Sequence, residues 1–188
     1  MTETNKTTWQ IDPAHSGVEL AVKHMMFTTV RGRFKDVKGT IELDEQNPAN
    51  STVNVEIASA SLDTGVADRD GHLRSADFLD TENQPTLTFV SKRIEGAFAK
   101  EGDAFRLTGD LTIRGITKEV TLDGTYEGTG KDPWGGTRVG ARATAKIDRR
   151  DWGLVWNQAL ETGGILVAND VRIELEVQAV KQVAAAAA

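Results

Sequence analysis

The sequence predicts an all-β chain folded as an antiparallel barrel of about eight strands, with one or two short helical inserts. Three observations lead there. Long runs alternate apolar and polar residues with a period of two. Most connections between the runs are short. About eight runs suffice for a barrel whose interior holds one small ligand. A run of strands with one dry face also folds as a sandwich; the barrel is the reading we prefer.

The elements follow in order. "VELAVKHMMF" places Val18, Leu20, Val22, His24 and Met26 on one face of a strand. Val30, Gly32 and Phe34 share the next apolar face. The following set, Val37, Gly39, Ile41 and Leu43, is out of phase with it. An extra residue near Lys35 and Asp36 restores the phase, so a β-bulge in one long, bent strand is expected. Val53, Val55 and Ile57 mark another strand. A further one near Leu87 to Ile94 has no single phase. The cleanest alternation sets Phe105, Leu107, Gly109, Leu111 and Ile113 against Arg106, Thr108, Asp110, Thr112 and Arg114. It resumes at Val120, Leu122, Gly124 and Tyr126 after a turn expected at Gly115 to Lys118, making an antiparallel hairpin. Val139, Ala141, Ala143, Ala145 and Ile147 form one more strand, and Val171, Ile173, Leu175, Val177 and Ala179 the last.

Two segments interrupt the alternation. In Gly65 to Pro85, Ala67, Leu73 and Ala76 have roughly helical spacing and the pattern stops before the proline. In Asp151 to Gly164, Trp152, Trp156 and Leu160 are spaced by four. No repeat or interdomain linker is visible. One domain over residues 1–183 is expected, with Ala184 to Ala188 as a disordered tail.

Composition narrows the function classes. The chain has 188 residues and no cysteine, which removes disulfides, cysteine-bound metal centres and thiol nucleophiles. With 22 Lys+Arg against 28 Asp+Glu, the net charge of −6 has the wrong sign for broad contact with nucleic acid or with anionic membrane surfaces. No apolar run approaches the roughly 18 residues of a bilayer span. "MTETNKTTWQ" has neither the apolar core nor the cleavage site of a secretory signal, so a cytoplasmic location is expected.

Chemical signatures are sparse. Gly130 and Lys131 in "GTYEGTGKD" resemble a phosphate loop, but the spacing is wrong and Asp132 stands where Ser or Thr is required. His15, His24 and His72 match no metal spacing. Asp68, Asp70 and Asp77, beside Arg69 and Arg74, read as a solvated helix face. Gly32, Gly39, Gly109, Gly124, Ala141, Ala143 and Ala145 fall on the dry stripes, where small side chains either leave room for a cavity or mark bends. "DRRDWGLVWNQ" gathers Arg149, Arg150, Trp152, Trp156, Asn157 and Gln158. That set suits either a cap over a ligand head group or a packing and dimer contact. His24 on its apolar stripe is either a satisfied core imidazole or a polar partner for a ligand.

"WQIDPAHSGVELAVKHMMFTTVRGRF", "DRDGHLRSADFLDTENQPTLTF", "LTGDLTIRGITKEVTL" and "IDRRDWGLVWNQALETGGILVANDVRIELEV", in this order, resemble the YceI-like family over nearly the whole chain. That family is described as polyisoprenoid-binding proteins with a lipocalin-like barrel. The resemblance implies an extended eight-stranded antiparallel lipocalin-like barrel. Its lumen would take the isoprenoid tail of a polyprenyl phosphate or a quinone, with no cofactor, no metal and no catalytic residue. Val18, Leu20, Val22, Met26, Phe34, Leu111 and Ile113 would line the tail. Phe78, Phe89, Trp152 and Trp156 complete the apolar contacts expected of such a ligand. His24 would meet the head group, helped by Arg31, Asn157 or Gln158. A homodimer through "WGLVW" is a further expectation. The alternative class is an enzyme acting on a hydrophobic substrate, with His24 or His72 as general base and Asp77 or Glu161 orienting it.

Overall fold

The computed structural model describes residues 6–183. Eight antiparallel staves close into a barrel, and three of them are each built from two strand segments. The first stave is β1 (Lys6–Ile11) and β2 (Gly17–His24); the second is β3 (Thr28–Phe34) and β4 (Val37–Asp44). The third is β5 (Thr52–Ala58) and β6 (Leu62–Asp63). The other five are β7 (Thr86–Gly96), β8 (Ala104–Ile113), β9 (Ile116–Lys131), β10 (Thr137–Asp148) and β11 (Val167–Lys181). Each stave pairs with the next in sequence. The barrel closes where β11 takes β2 along one half and β1 along the other, from Val167↔His24 to Trp9↔Lys181. Closure leaves the short β6, paired with β3 alone, as the sheet edge among the described residues.

The phase slip at Lys35 and Asp36 proves to be a break between β3 and β4 rather than a bulge within one strand. Phe34 and Val37 both point inward and are buried. The interruption is shared by both neighbours: residues 12–16 separate β1 from β2, and 59–61 separate β5 from β6. A one-residue bulge displaces a single ladder, whereas here three adjacent ladders are interrupted together. Side chains repair the gap. Ser16 Oγ donates to the Gln178 carbonyl at 3.1 Å and accepts from its N–H at 3.0 Å, supplying the partner that the broken strand does not.

Two further irregularities explain what the alternation did not resolve. The β7–β8 register shifts between Ser91 and Arg93, so Leu87 and Phe89 face inward in one phase and Ile94 in the other. The β8–β9 turn is Arg114–Gly115, tighter than the expected Gly115–Lys118, because Ile113 already pairs with Ile116. Both turn residues have positive φ, 51° and 72°, as a two-residue hairpin with the right-handed twist of its strands demands.

Of the two inserts, only the first forms an α-helix, α1 (Ala67–Arg74). The second opens with a 3-10 turn over Arg149–Trp152, ended by Gly153 at φ 72°, and continues as irregular chain. The charges around α1 are not simply a solvated face. Asp70 is buried and accepts from the Thr64 N–H and hydroxyl, while Arg74 donates to the carbonyls of Ala60 and Leu62. These bonds fasten the insert to β6. Phe78, Leu79, Trp152 and Leu154 then pack over one end of the barrel, and the Trp152 indole N–H donates to the Leu111 carbonyl at 3.0 Å. The expected Ala184 to Ala188 tail lies outside the described residues. No helix of the described chain is long and apolar enough to cross a membrane.

Candidate functional site

Inside the barrel lies a cavity of about 280 Å³. At the end covered by the inserts it is bounded by Leu79, Ile147, Trp152 and Leu154; toward the other end by Leu43, Val53, Phe98, Phe105 and Val139. Val139 and Ile147 both line it and lie eight residues apart on β10. At about 3.3 Å per residue and a tilt of about 40°, that is about 20 Å along the barrel axis. Val171, Ile173, Leu175 and Val177 of β11 face inward yet are only half-buried, as side chains bordering an unfilled space must be.

The small residues do not all contribute that space. A Cβ on Gly109 would lie 2.6 Å from Phe89 Cζ and 2.5 Å from the Val90 carbonyl oxygen, and one on Gly124 would collide with the ring of Phe105. These glycines are seats for aromatic side chains of the neighbouring strand. The room they vacate is already filled. Ala141 and Ala143, by contrast, line the cavity itself.

Of the residues expected at the site, Val18, Leu20, Phe34, Phe89, Leu111, Ile113 and Trp152 are on the cavity wall. The remaining eight lie away from it. Val22 faces the same way as Val18 and Leu20 and pairs with Val30 and with Val171 of the wall, but does not itself line the cavity. His24 ends β2, opposite Thr28 and Val167, and is half-buried there. Met26 leaves the stripe altogether, because Met25 and Met26 adopt φ of 50° and 65° in the hairpin tip and Met26 is 63% exposed. Arg31 points outward beside Ala21. Phe78 is buried behind the wall, and half-buried Trp156 packs against it and against His72 with ring centroids 5.4 and 4.6 Å away. Asn157 spends its amide on the backbone of Val167, donating at 2.7 Å and accepting at 3.0 Å. Gln158 is exposed and holds Leu166 through its own carbonyl.

The polar group that sequence reasoning underrated is Arg149. It is 5% exposed and lines the cavity. Its guanidinium donates to the carbonyls of Ala168 at 3.0 Å, Val167 at 3.2 Å and Leu154. The carboxylate beside it in sequence is taken: Asp148 is bound by Arg150 at 2.6 Å, which holds its pKa at about 2. Burial pushes the Arg149 pKa below its ordinary value, yet a guanidinium keeps its proton at neutral pH. The result is a buried cation neutralised by dipoles rather than by a counter-ion. The sequence treats the two adjacent arginines alike, and only the fold decides which one turns inward.

Of the pairings expected of an enzyme, that of His72 with Asp77 forms; His15 pairs likewise with Asp12, at 2.9 Å. His72 Nε2 is 2.8 Å from Asp77 Oδ2, but neither residue borders the cavity. Among the described residues no group of three His, Asp or Glu side chains is placed to hold a metal ion. "WGLVW" buries Trp152 and Leu154 and packs Trp156 internally, leaving Val155, 66% exposed, as its outward apolar residue.

The YceI-like domain model matches residues 9–179 of the chain. Protein YceI of Escherichia coli O157:H7 is 46% identical over 140 residues, which are 74% of this chain and 71% of that protein. BcnA of Burkholderia cenocepacia has a similar structure, with a TM-score of 0.76 at 25% identity, covering 89% of this chain and 98% of that one. A polyisoprenoid binding domain from Saccharophagus degradans shares the fold at a TM-score of 0.68 and 13% identity, over 93% and 98% of the two chains.

Proposed function

Because the chain belongs to the YceI-like family, we propose that its barrel binds an isoprenoid lipid without transforming it, serving storage or transport. The observation that carries this reading is the apolar cavity inside the barrel with a single buried cation in its wall. An isoprenoid tail is apolar along its whole length. Burying it yields about 2.5 kcal/mol for every ~100 Å² removed from water, with no directional bonds required. Val18, Leu20, Phe34, Phe89, Leu111 and Ile113 supply that contact. Arg149 has five N–H groups, of which three are engaged by carbonyls. The other two suit a phosphate oxygen or a quinone carbonyl. The polyisoprenoid-binding description of the Saccharophagus degradans domain agrees with this reading.

The test is to purify the protein under mild conditions, extract it with organic solvent, and analyse the extract by mass spectrometry beside native mass spectrometry of the intact chain. A stoichiometric isoprenoid is expected, and its mass identifies the head group. A barrel that stays empty after incubation with quinones and polyprenyl phosphates would overturn the proposal.

A further inference from the structure

We propose that the barrel end bearing the β2–β3 hairpin docks on the surface of an anionic lipid bilayer. In that contact Met26 and Phe27 enter the boundary between head groups and acyl chains, and Lys23, Arg31 and Arg172 face the lipid phosphates.

The apolar part of the surface is concentrated at one end. Among the described residues nine large hydrophobic side chains are exposed, and six of them lie at this end: Met25, Met26, Phe27, Val66 and Val155 in turns and inserts, and Ile116 at the start of β9. Phe27 is 80% exposed. The tip is held in shape. Met25 N–H donates to the Leu166 carbonyl at 2.8 Å and Phe27 N–H to the His24 carbonyl at 3.1 Å. Two methionines with positive φ occupy a place where glycine or asparagine is less strained, and Met26 stays 63% exposed there.

A group of cations lies beneath the tip. One row across four strands carries Lys146, Arg172, Ala21 and Arg31 in register, all on the outer face, with Lys23 two residues nearer the tip. Acidic groups are interspersed: Asp148 and Asp170 toward the end, Glu19 and Glu174 in the next row away from it, and exposed Asp151 and Glu161 on the insert beside the tip. Asp170 is paired with Lys146 at 2.6 Å and Asp148 with Arg150 at 2.6 Å. Lys23, Arg31 and Arg172 have no carboxylate within ion-pair distance among the described residues. The chain's −6 opposes approach at long range, but within a Debye length of about 8 Å the local charge governs.

Shape separates a bilayer from a protein partner. A specific protein interface needs roughly 1,000 Å² or more of complementary surface. A protruding tip of two flexible methionines and a phenylalanine, with cations below it, suits the soft boundary of a membrane. The docking does not depend on which ligand the cavity takes, since it rests on the outer surface alone.

The experiment is flotation of the full chain with vesicles of phosphatidylcholine, with and without phosphatidylglycerol, at about 0.1 M and about 1 M salt. Neither vesicle contains an isoprenoid, so a failed ligand assignment leaves this readout intact. Binding to the anionic vesicles is expected, weakened by high salt. It should fall roughly tenfold or more in Met26→Asp/Phe27→Asp and in Arg31→Glu/Arg172→Glu, with unchanged thermal melts because all four side chains are exposed. A Phe27→Trp variant should shift its emission to the blue on anionic vesicles and not on neutral ones. Wild-type protein that fails to float with anionic vesicles, or acidic-tip variants that float as well as wild type, would overturn the proposal. So would a dimer in analytical ultracentrifugation that Met26→Asp/Phe27→Asp abolishes, without vesicle binding, since that assigns the tip to a second copy.

Discussion

Replacing Asp12 by Asn should destabilise the barrel in a pH-dependent way. Asp12 lies in the gap between β1 and β2. Its Oδ2 accepts from Arg138 of β10 at 2.6 Å and contacts His15 Nδ1 at 2.9 Å, and its Oδ1 accepts from the Ala14 N–H at 3.0 Å. The Arg138 bond is the main reason that the Asp12 pKa falls from 3.8 to about 2, with the His15 bond second. A drop of about 1.8 pH units at 1.36 kcal/mol each is about 2.4 kcal/mol. The carboxylate is 16% exposed, so solvent screening lowers the expectation to about 1–2 kcal/mol. The folded-state pKa is the depressed one, so this stability is fully present above the unfolded value of 3.8 and is lost as pH falls through 2. Linkage leaves about half of it at pH 3 and little at pH 2. Urea unfolding of both proteins from pH 7 to pH 2 measures the difference. A destabilisation of the same size at every pH would refute the ion-pair account and assign the effect to the neutral turn around Ala14.

Three other substitutions test the interior. Gly124→Val drives a side chain into the ring of Phe105 and should lower stability by about 1–3 kcal/mol, read from denaturant midpoints; an unchanged midpoint would mean that the ring is not seated there. Ala143→Leu extends into free space on the cavity wall. The melting temperature should hold or rise while bound lipid per protein falls, and full occupancy would put the tail elsewhere. His24→Leu should leave ligand occupancy and head-group selectivity unchanged in the extraction assay, because the ring lies off the wall; a loss would restore His24 as a ligand contact.

The period-two stripes sufficed to predict a closed β-fold because alternation is imposed locally, by which face of each strand is dry. The same stripes gave Val18, Leu20, Phe34, Leu111 and Ile113 as inward residues. They misplaced Met26, since continuing a stripe assumes that the strand continues, and positive φ at two non-glycine residues leaves no mark in hydrophobic periodicity. The broken staves were legible only as a slip at Lys35 and Asp36. Their alignment across three strands is a relation between segments distant in sequence.

The amino-acid sequence by itself determined the all-β class, the number of staves, the family and the absence of any thiol chemistry, since each follows from composition, local alternation or long ordered motifs. Tertiary structure alone decided where space remains inside. Gly109 and Gly124 look like cavity-formers until the rings of Phe89 and Phe105 are seen to occupy their places, whereas Ala141 and Ala143 face open volume. It also decided which of two adjacent arginines is buried. Arg150 takes the carboxylate of Asp148, and Arg149 turns inward to three carbonyls, because a partner's identity depends on what packing brings within hydrogen-bond reach and not on what stands next in the chain.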